Sequence, residues 1–146
     1  KPCVCSQGSL MRYQRKISGP ILDRIDLWLD VPQIEHEKLS DMKDSGESSK
    51  SIRERIIKAR EIQKKRFSKK NRQILTNSEM GVRELKNLVL LTDSVKNILN
   101  QAAKRLDLSG RAYHRVIKLA RTIADLEGAE QIKESHILEA LQYRPK

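Results

Sequence analysis

The residues of this chain that could do chemistry are few and mostly cationic. Cys3 and Cys5 form a C-x-C pair at the extreme N-terminus. Tetrahedral zinc needs four ligands, and two cysteines with no nearby histidine supply half of that, so no metal site is expected here. Residues spaced this closely rarely bridge to each other, and two cysteines cannot staple a secreted fold, so free thiols in a reducing, cytoplasmic setting are expected. Arg24 sits between Asp23 and Asp26. A guanidinium in that position can stabilise charge on phosphate oxygens, or simply pair with the neighbouring carboxylates on the surface. Arg111 lies two residues after Ser109, a residue type that caps helices, and Arg115 follows one turn later on the same face. A cation in the first turn of a helix is unfavourably placed against the helix dipole, a cost that suggests a use. His114 points near the same face, where a histidine is more often a packing or capping residue. Finally, residues 50–72 hold eleven Lys and Arg against two Glu, a net +9 of the chain's +11. Within this run Arg53, Lys64, Lys65, Lys69 and Lys70 could contact nucleic-acid phosphates in a salt-dependent way. Phe67 is the only aromatic residue there and cannot make a stacking platform, and a solvated face or an acidic neighbour are the other uses of such a helix.

The elements that must carry these groups can be read from patterning. The chain has 146 residues, 38% of them hydrophobic and only 3% aromatic, a composition that suits helix packing and excludes an aromatic-rich core. The longest purely aliphatic run is Leu88-Val89-Leu90-Leu91, far short of the roughly 20 residues that cross a bilayer. No signal peptide or repeat is seen. The chain opens at Lys1 without an initiator Met, and reads as a piece of a longer protein. Residues 25–31 alternate apolar and acidic types, broken at Trp28 and closed by Pro32, as a strand does. No second strand follows, so its sheet partners are expected to be missing. Residues 37–49 have the polar composition of a linker. From about residue 50 the period becomes helical, with Ile52, Ile56, Ala59 and Ile62 along a helix that ends near Phe67, followed by a loop over 68–71. Val82, Leu85, Leu88 and Val89 mark a short helix. Thr92 or Asp93 caps the next, with the stripe Val95, Ile98, Leu99, Ala102, Ala103 and Leu106. Ser109 caps a third, with Tyr113, Val116, Ile117, Ala120, Ile123 and Ala124 inward and Gly128 as its left-handed stop. A last short helix is entered near Glu134.

Three stretches of this sequence resemble a known family. They are Ile17-Ser18-Gly19-Pro20-Ile21-Leu22-Asp23-Arg24-Ile25-Asp26-Leu27, then Leu108-Ser109-Gly110-Arg111-Ala112-Tyr113-His114-Arg115-Val116 running on through Ala120-Arg121-Thr122-Ile123-Ala124-Asp125-Leu126-Glu127-Gly128, and finally His136-Ile137-Leu138-Glu139-Ala140-Leu141-Gln142-Tyr143-Arg144. In this order they are similar to the C-terminal region of the bacterial magnesium-chelatase-like AAA+ ATPases, the competence type among them. The resemblance implies an all-α helical lid bundle over 50–146, preceded by a linker at 37–49 and by the end of the ATPase core at 1–36 with one remnant strand. A strand without its sheet is expected to leave residues 1 to about 48 largely mobile.

The resemblance also implies roles. Arg24 matches the segment that supplies an arginine finger to a neighbouring subunit, and Arg111 the sensor-2 position, which touches the γ-phosphate in the same subunit or its neighbour; Arg115 is a second nucleotide-sensing position. ATP and Mg²⁺ are expected in the full-length protein but not on this chain alone, which has no G-x-x-x-x-G-K-[ST] loop and should not hydrolyse ATP. A ring, hexameric as in related proteins, is the expected assembly of the full-length protein, and a monomer that of this chain. DNA is a possible partner and a membrane is not. A freestanding basic helical DNA-binding module is the alternative; its recognition helix would be the one after Ser109, which offers arginines to base edges.

Overall fold

The computed structural model describes residues 3–33, 46–68 and 74–144. Two short helices come first, α1 (Gln7–Gln14) and α2 (Gly19–Leu22). Five more form the bundle: α3 (Ser49–Phe67), α4 (Val82–Leu88), α5 (Asp93–Arg105), α6 (Gly110–Glu127) and α7 (Glu134–Gln142), with a 3-10 turn at Asn77–Glu79. Among the described residues no strand is present, and the all-α class stands.

The helix ends follow capping chemistry. Ser48, Thr92 and Ser109 accept hydrogen bonds from the backbone N–H groups of Ser51, Val95 and Ala112, at 3.3, 3.4 and 3.1 Å. Each satisfies a donor that the first turn of a helix leaves unpaired. The Glu84 carboxylate does the same for Gly81 N–H at 2.7 Å. Helix α6 stops at Gly128, whose φ of 77° is left-handed backbone that glycine adopts without strain.

Helix α6 runs through the middle of the core and packs on α3, α4 and α7. Its Val116, Ile117, Ala120 and Ala124 are buried with Val95 and Leu99 of α5, Leu85 of α4, and Ile137 and Ala140 of α7. Leu99 and Ile137 are wholly enclosed, and burying a side chain of this size contributes about 1.5–3 kcal/mol. Helix α3 departs from its expected face. Ile52 and Ile56 are exposed, and its buried residues are Ala59, Gln63 and Phe67. The bundle therefore covers only the C-terminal part of α3. Leu106, expected on the inner stripe of α5, is exposed as well and forms its C-cap.

Residues 25–31 are not a strand. Among the described residues no neighbouring strand completes a ladder with this backbone, and the alternating pattern alone could not supply one. Instead the segment from Asp23 to Trp28 is held against the bundle as a strap. The Trp28 backbone N–H donates to the Tyr143 carbonyl at 2.9 Å. Ser109 Oγ donates to Asp23 at 2.7 Å and Arg144 Nη1 to the Ile25 carbonyl at 3.0 Å. Where the sequence suggested a loose tail, this part of it is bonded to both α6 and the end of α7. Most of the expected linker, 37–45 of 37–49, lies outside the described residues, as do 69–71 of the second loop.

Candidate functional site

The start of α6 gathers the arginines that the sequence singled out. Ser109 fixes where the helix begins, which sets Arg111 in its first turn and Arg115 and Lys118 further along the same face. The strap brings Arg24 to the same place. Arg24, Arg111, His114, Arg115 and Lys118, with Val82, line one open basin of about 450 Å³. No carboxylate lines it. The partial positive charge of the α6 N-terminus adds to that of the side chains.

These cations differ in what already holds them. The Arg24 guanidinium is exposed, and among the described residues its hydrogen bond is to the Pro20 carbonyl of α2, at 3.2 Å. Arg111 is exposed in the first turn. Arg115 is engaged: its Nη1 donates to the Arg24 carbonyl at 2.6 Å and to the Asp26 carboxylate. Lys118 Nζ donates to the Ser78 carbonyl at 2.8 Å. Partial burial, then the adjacent Arg115, pull the Lys118 ammonium below its usual range. Arg115 and Lys118 also border a smaller groove with Asp26, Ser78, Leu119 and Thr122. A basin so lined repels cations and suits the oxygens of an anion such as a phosphate.

The other residues singled out lie elsewhere. Arg53, Lys64 and Lys65 are exposed on α3 and do not line the basin; Lys69 and Lys70 lie outside the described residues. Cys3 and Cys5 are exposed free thiols. Hydrogen bonding to Cys5, first by its backbone, holds the Cys3 thiol below its ordinary value. No group of three or more metal-ligating residues occurs among the described residues, and no helix among them is long and apolar enough to cross a membrane.

A second polar cluster escaped sequence reasoning. Asp125 is buried in α6 and accepts from Arg66 of α3, from Asn77 Nδ2 at 2.7 Å and from Arg121 Nε at 3.0 Å. Arg121 also donates to the carbonyls of Glu130 and Ala129, at 2.8 and 2.6 Å. Burial lowers the Arg121 guanidinium from its usual range, and Asp125 opposes that shift. The cluster ties α3, the 3-10 turn and the α6–α7 loop to one carboxylate. The only sequence signal was the four-residue spacing of Arg121 and Asp125, which places them on one helix face.

An all-α bundle with a cationic basin at the start of its central helix has the form of a C-terminal AAA+ lid of the magnesium-chelatase type. The chain belongs to that family. Residues 46–144 match the C-terminal domain of magnesium chelatase subunit ChlI, and residues 1–39 match the ChlI domain that precedes it. It is 42% identical to competence protein ComM of Haemophilus influenzae over 95% of its own length and 26% of that protein's. It is 38% identical to uncharacterized protein YifB of Salmonella typhimurium over 96% of its length and 26% of the relative's. An uncharacterized protein of Mycobacterium bovis, Mb2921c, is 30% identical over 97% of this chain and 27% of its own. The chain thus spans about a quarter of the length of these relatives.

Proposed function

We propose that this region couples ATP binding and hydrolysis to movement between subunits of a ring-forming ATPase. The observation that carries this is the convergence of Arg24, Arg111 and Arg115 on one basin with no carboxylate in its lining. Charge builds on the γ-phosphate oxygens during phosphoryl transfer, and a rigid guanidinium stabilises it. Arg24 is the group for that task. Arg111, in the first turn of α6, registers the same phosphate through the lid. The donor set fits phosphate oxygens and not a bare cation. The Mg²⁺ that accompanies ATP would be held by groups outside this basin, where it would neutralise charge on the phosphates.

Because the two arginines border one basin, they address one nucleotide from one side. A finger acts on the neighbouring subunit's ATP, so Arg111 acts on the neighbour's ATP as well. Hydrolysis then changes the contact between subunits, and the bundle moves as a body. The output of that movement is DNA processing in this proposal. Support comes from the exposed basic face of α3, with Arg53, Lys64 and Lys65, and from the absence of an acidic metal-binding cluster among the described residues.

The test is ATP turnover by the full-length protein. Arg24→Ala should lower it by about 10³–10⁵-fold, the worth of a finger in other phosphoryl-transfer enzymes, with ATP affinity unchanged. Turnover near that of the wild type would reduce Arg24 to a surface cation.

A further inference from the structure

Arg144 lies at the end of the bundle, 7% exposed. A buried guanidinium is costly unless paired and hydrogen-bonded, and Arg144 Nε has no hydrogen-bond partner among the described residues. What Arg144 meets is the strap. Its Nη1 donates to the Ile25 carbonyl at 3.0 Å, and its Nη2 lies 3.6 Å from the Asp23 carboxylate. Asp23 is held from its other oxygen by Ser109, 2.7 Å away, and Ser109 is the cap of α6. Arg115 takes the Arg24 carbonyl and the Asp26 carboxylate. So the residues on either side of Arg24, and its own carbonyl, are gripped by the bundle, while among the described residues its guanidinium bonds only to the Pro20 carbonyl of α2.

We propose that Arg144, with Ser109 and Arg115, is a clamp that fixes the strap to the lid bundle and thereby positions Arg24. A finger works only when held within a fraction of an ångström of its target, and the bonds from Ser109, Arg115 and Arg144 hold the strap on either side of Arg24. The clamp makes lid position and finger position a single variable: a bundle that swings carries Arg24 with it. Arg144 is a positioning residue here, acting through the backbone of Ile25. The clamp itself stands on the hydrogen bonds above; its consequence for turnover rests on the finger role proposed for Arg24.

Trp28 is the only tryptophan of the chain, and it is half-buried on the strap, with its backbone N–H on the Tyr143 carbonyl. Its fluorescence in this 146-residue chain reports the clamp without any nucleotide. Arg144→Ala should shift Trp28 emission to the red and raise its quenching by acrylamide, with helical circular dichroism retained. Arg144→Lys, which keeps one charged donor, should recover part of the change. If Arg144→Ala does not fold, Asp23→Ala removes the Ser109 bond and the Arg144 ion pair while leaving the Ile25 carbonyl bond, and should give a smaller shift in the same direction. An unchanged Trp28 in the folded variants overturns the clamp. In the full-length protein, Arg144→Ala should lower turnover without changing ATP affinity, and Arg24→Ala with Arg144→Ala should lose no more than Arg24→Ala alone. If Trp28 responds and Arg24→Ala is inactive, but Arg144→Ala turns over normally, the strap is clamped without setting the finger, and the positioning proposal fails. If Arg24→Ala is itself active, the finger role fails while the Trp28 result still decides the clamp.

Discussion

Asp125 concentrates more of the bundle's polar bonding than any residue of the basin. It is 1% exposed and bonded to two arginines and an asparagine. Removing one partner of a buried charged group strands the others, which costs about 3–5 kcal/mol. Asp125→Ala should therefore lower the unfolding free energy by roughly that amount, measured by urea denaturation of this chain. A loss under about 1 kcal/mol, the worth of an exposed pair, would show that Arg66 and Arg121 find other partners. Little of this was legible in the sequence. Arg121 and Asp125 announce themselves by spacing, but Arg66 sits 59 positions away from Asp125 and is indistinguishable from the solvated lysines and arginines around it. The convergence of Arg24 on Arg111 likewise depends on tertiary contact; the family resemblance gave each a phosphate role but left open whether they address the same nucleotide. Arg144 gave no signal beyond its place in a motif.

The elements were far more legible than their contacts. Ser48, Thr92 and Ser109 cap where capping chemistry puts them, and Gly128 ends α6. These are local events, set by residues within one turn. The strand at 25–31 failed for the opposite reason: alternation describes a residue pattern, while a strand exists only through its neighbours. Helix α7 shows how elements are joined. The Glu127 carboxylate at the end of α6 accepts from Lys133 Nζ at 2.7 Å and from buried His136, whose Nδ1 accepts the Lys133 N–H at 3.0 Å. The Lys133 bond first, and the His136 bond next, hold the Glu127 carboxyl down to about 2 from 4.5. With the folded value depressed, the unfolded chain binds the proton more readily, so this tie contributes fully above the unfolded value and is lost as pH falls toward the folded one. Glu127→Gln should accordingly unfold at lower urea than the wild type at pH 6, and the gap should close as pH falls from about 4.5 to about 2. A gap that does not change with pH would mean that the carboxylate is not what ties α7 to α6.

At the scale of the whole molecule, charge and length set what this chain does by itself. It carries +11 and a basin suited to phosphate, yet it has no glycine-rich loop to cradle a nucleotide. Isolated, it should show no ATP hydrolysis above background; turnover that survives rigorous purification would contradict this. In a ring, the account turns on one claim, that Arg24 and Arg111 face the same neighbouring nucleotide. Mixing two inactive full-length subunits tests it most directly. One carries Arg24→Ala with Arg111→Ala, and the other lacks its phosphate-loop lysine. Where the first subunit supplies the nucleotide site and the second supplies both arginines, a complete site forms, so ATP turnover should return in the mixture. If Arg111 instead serves its own subunit, no interface is complete. The mixture would then stay as inactive as its parents, although they still assemble, and although Arg24→Ala alone mixed with the same partner does recover.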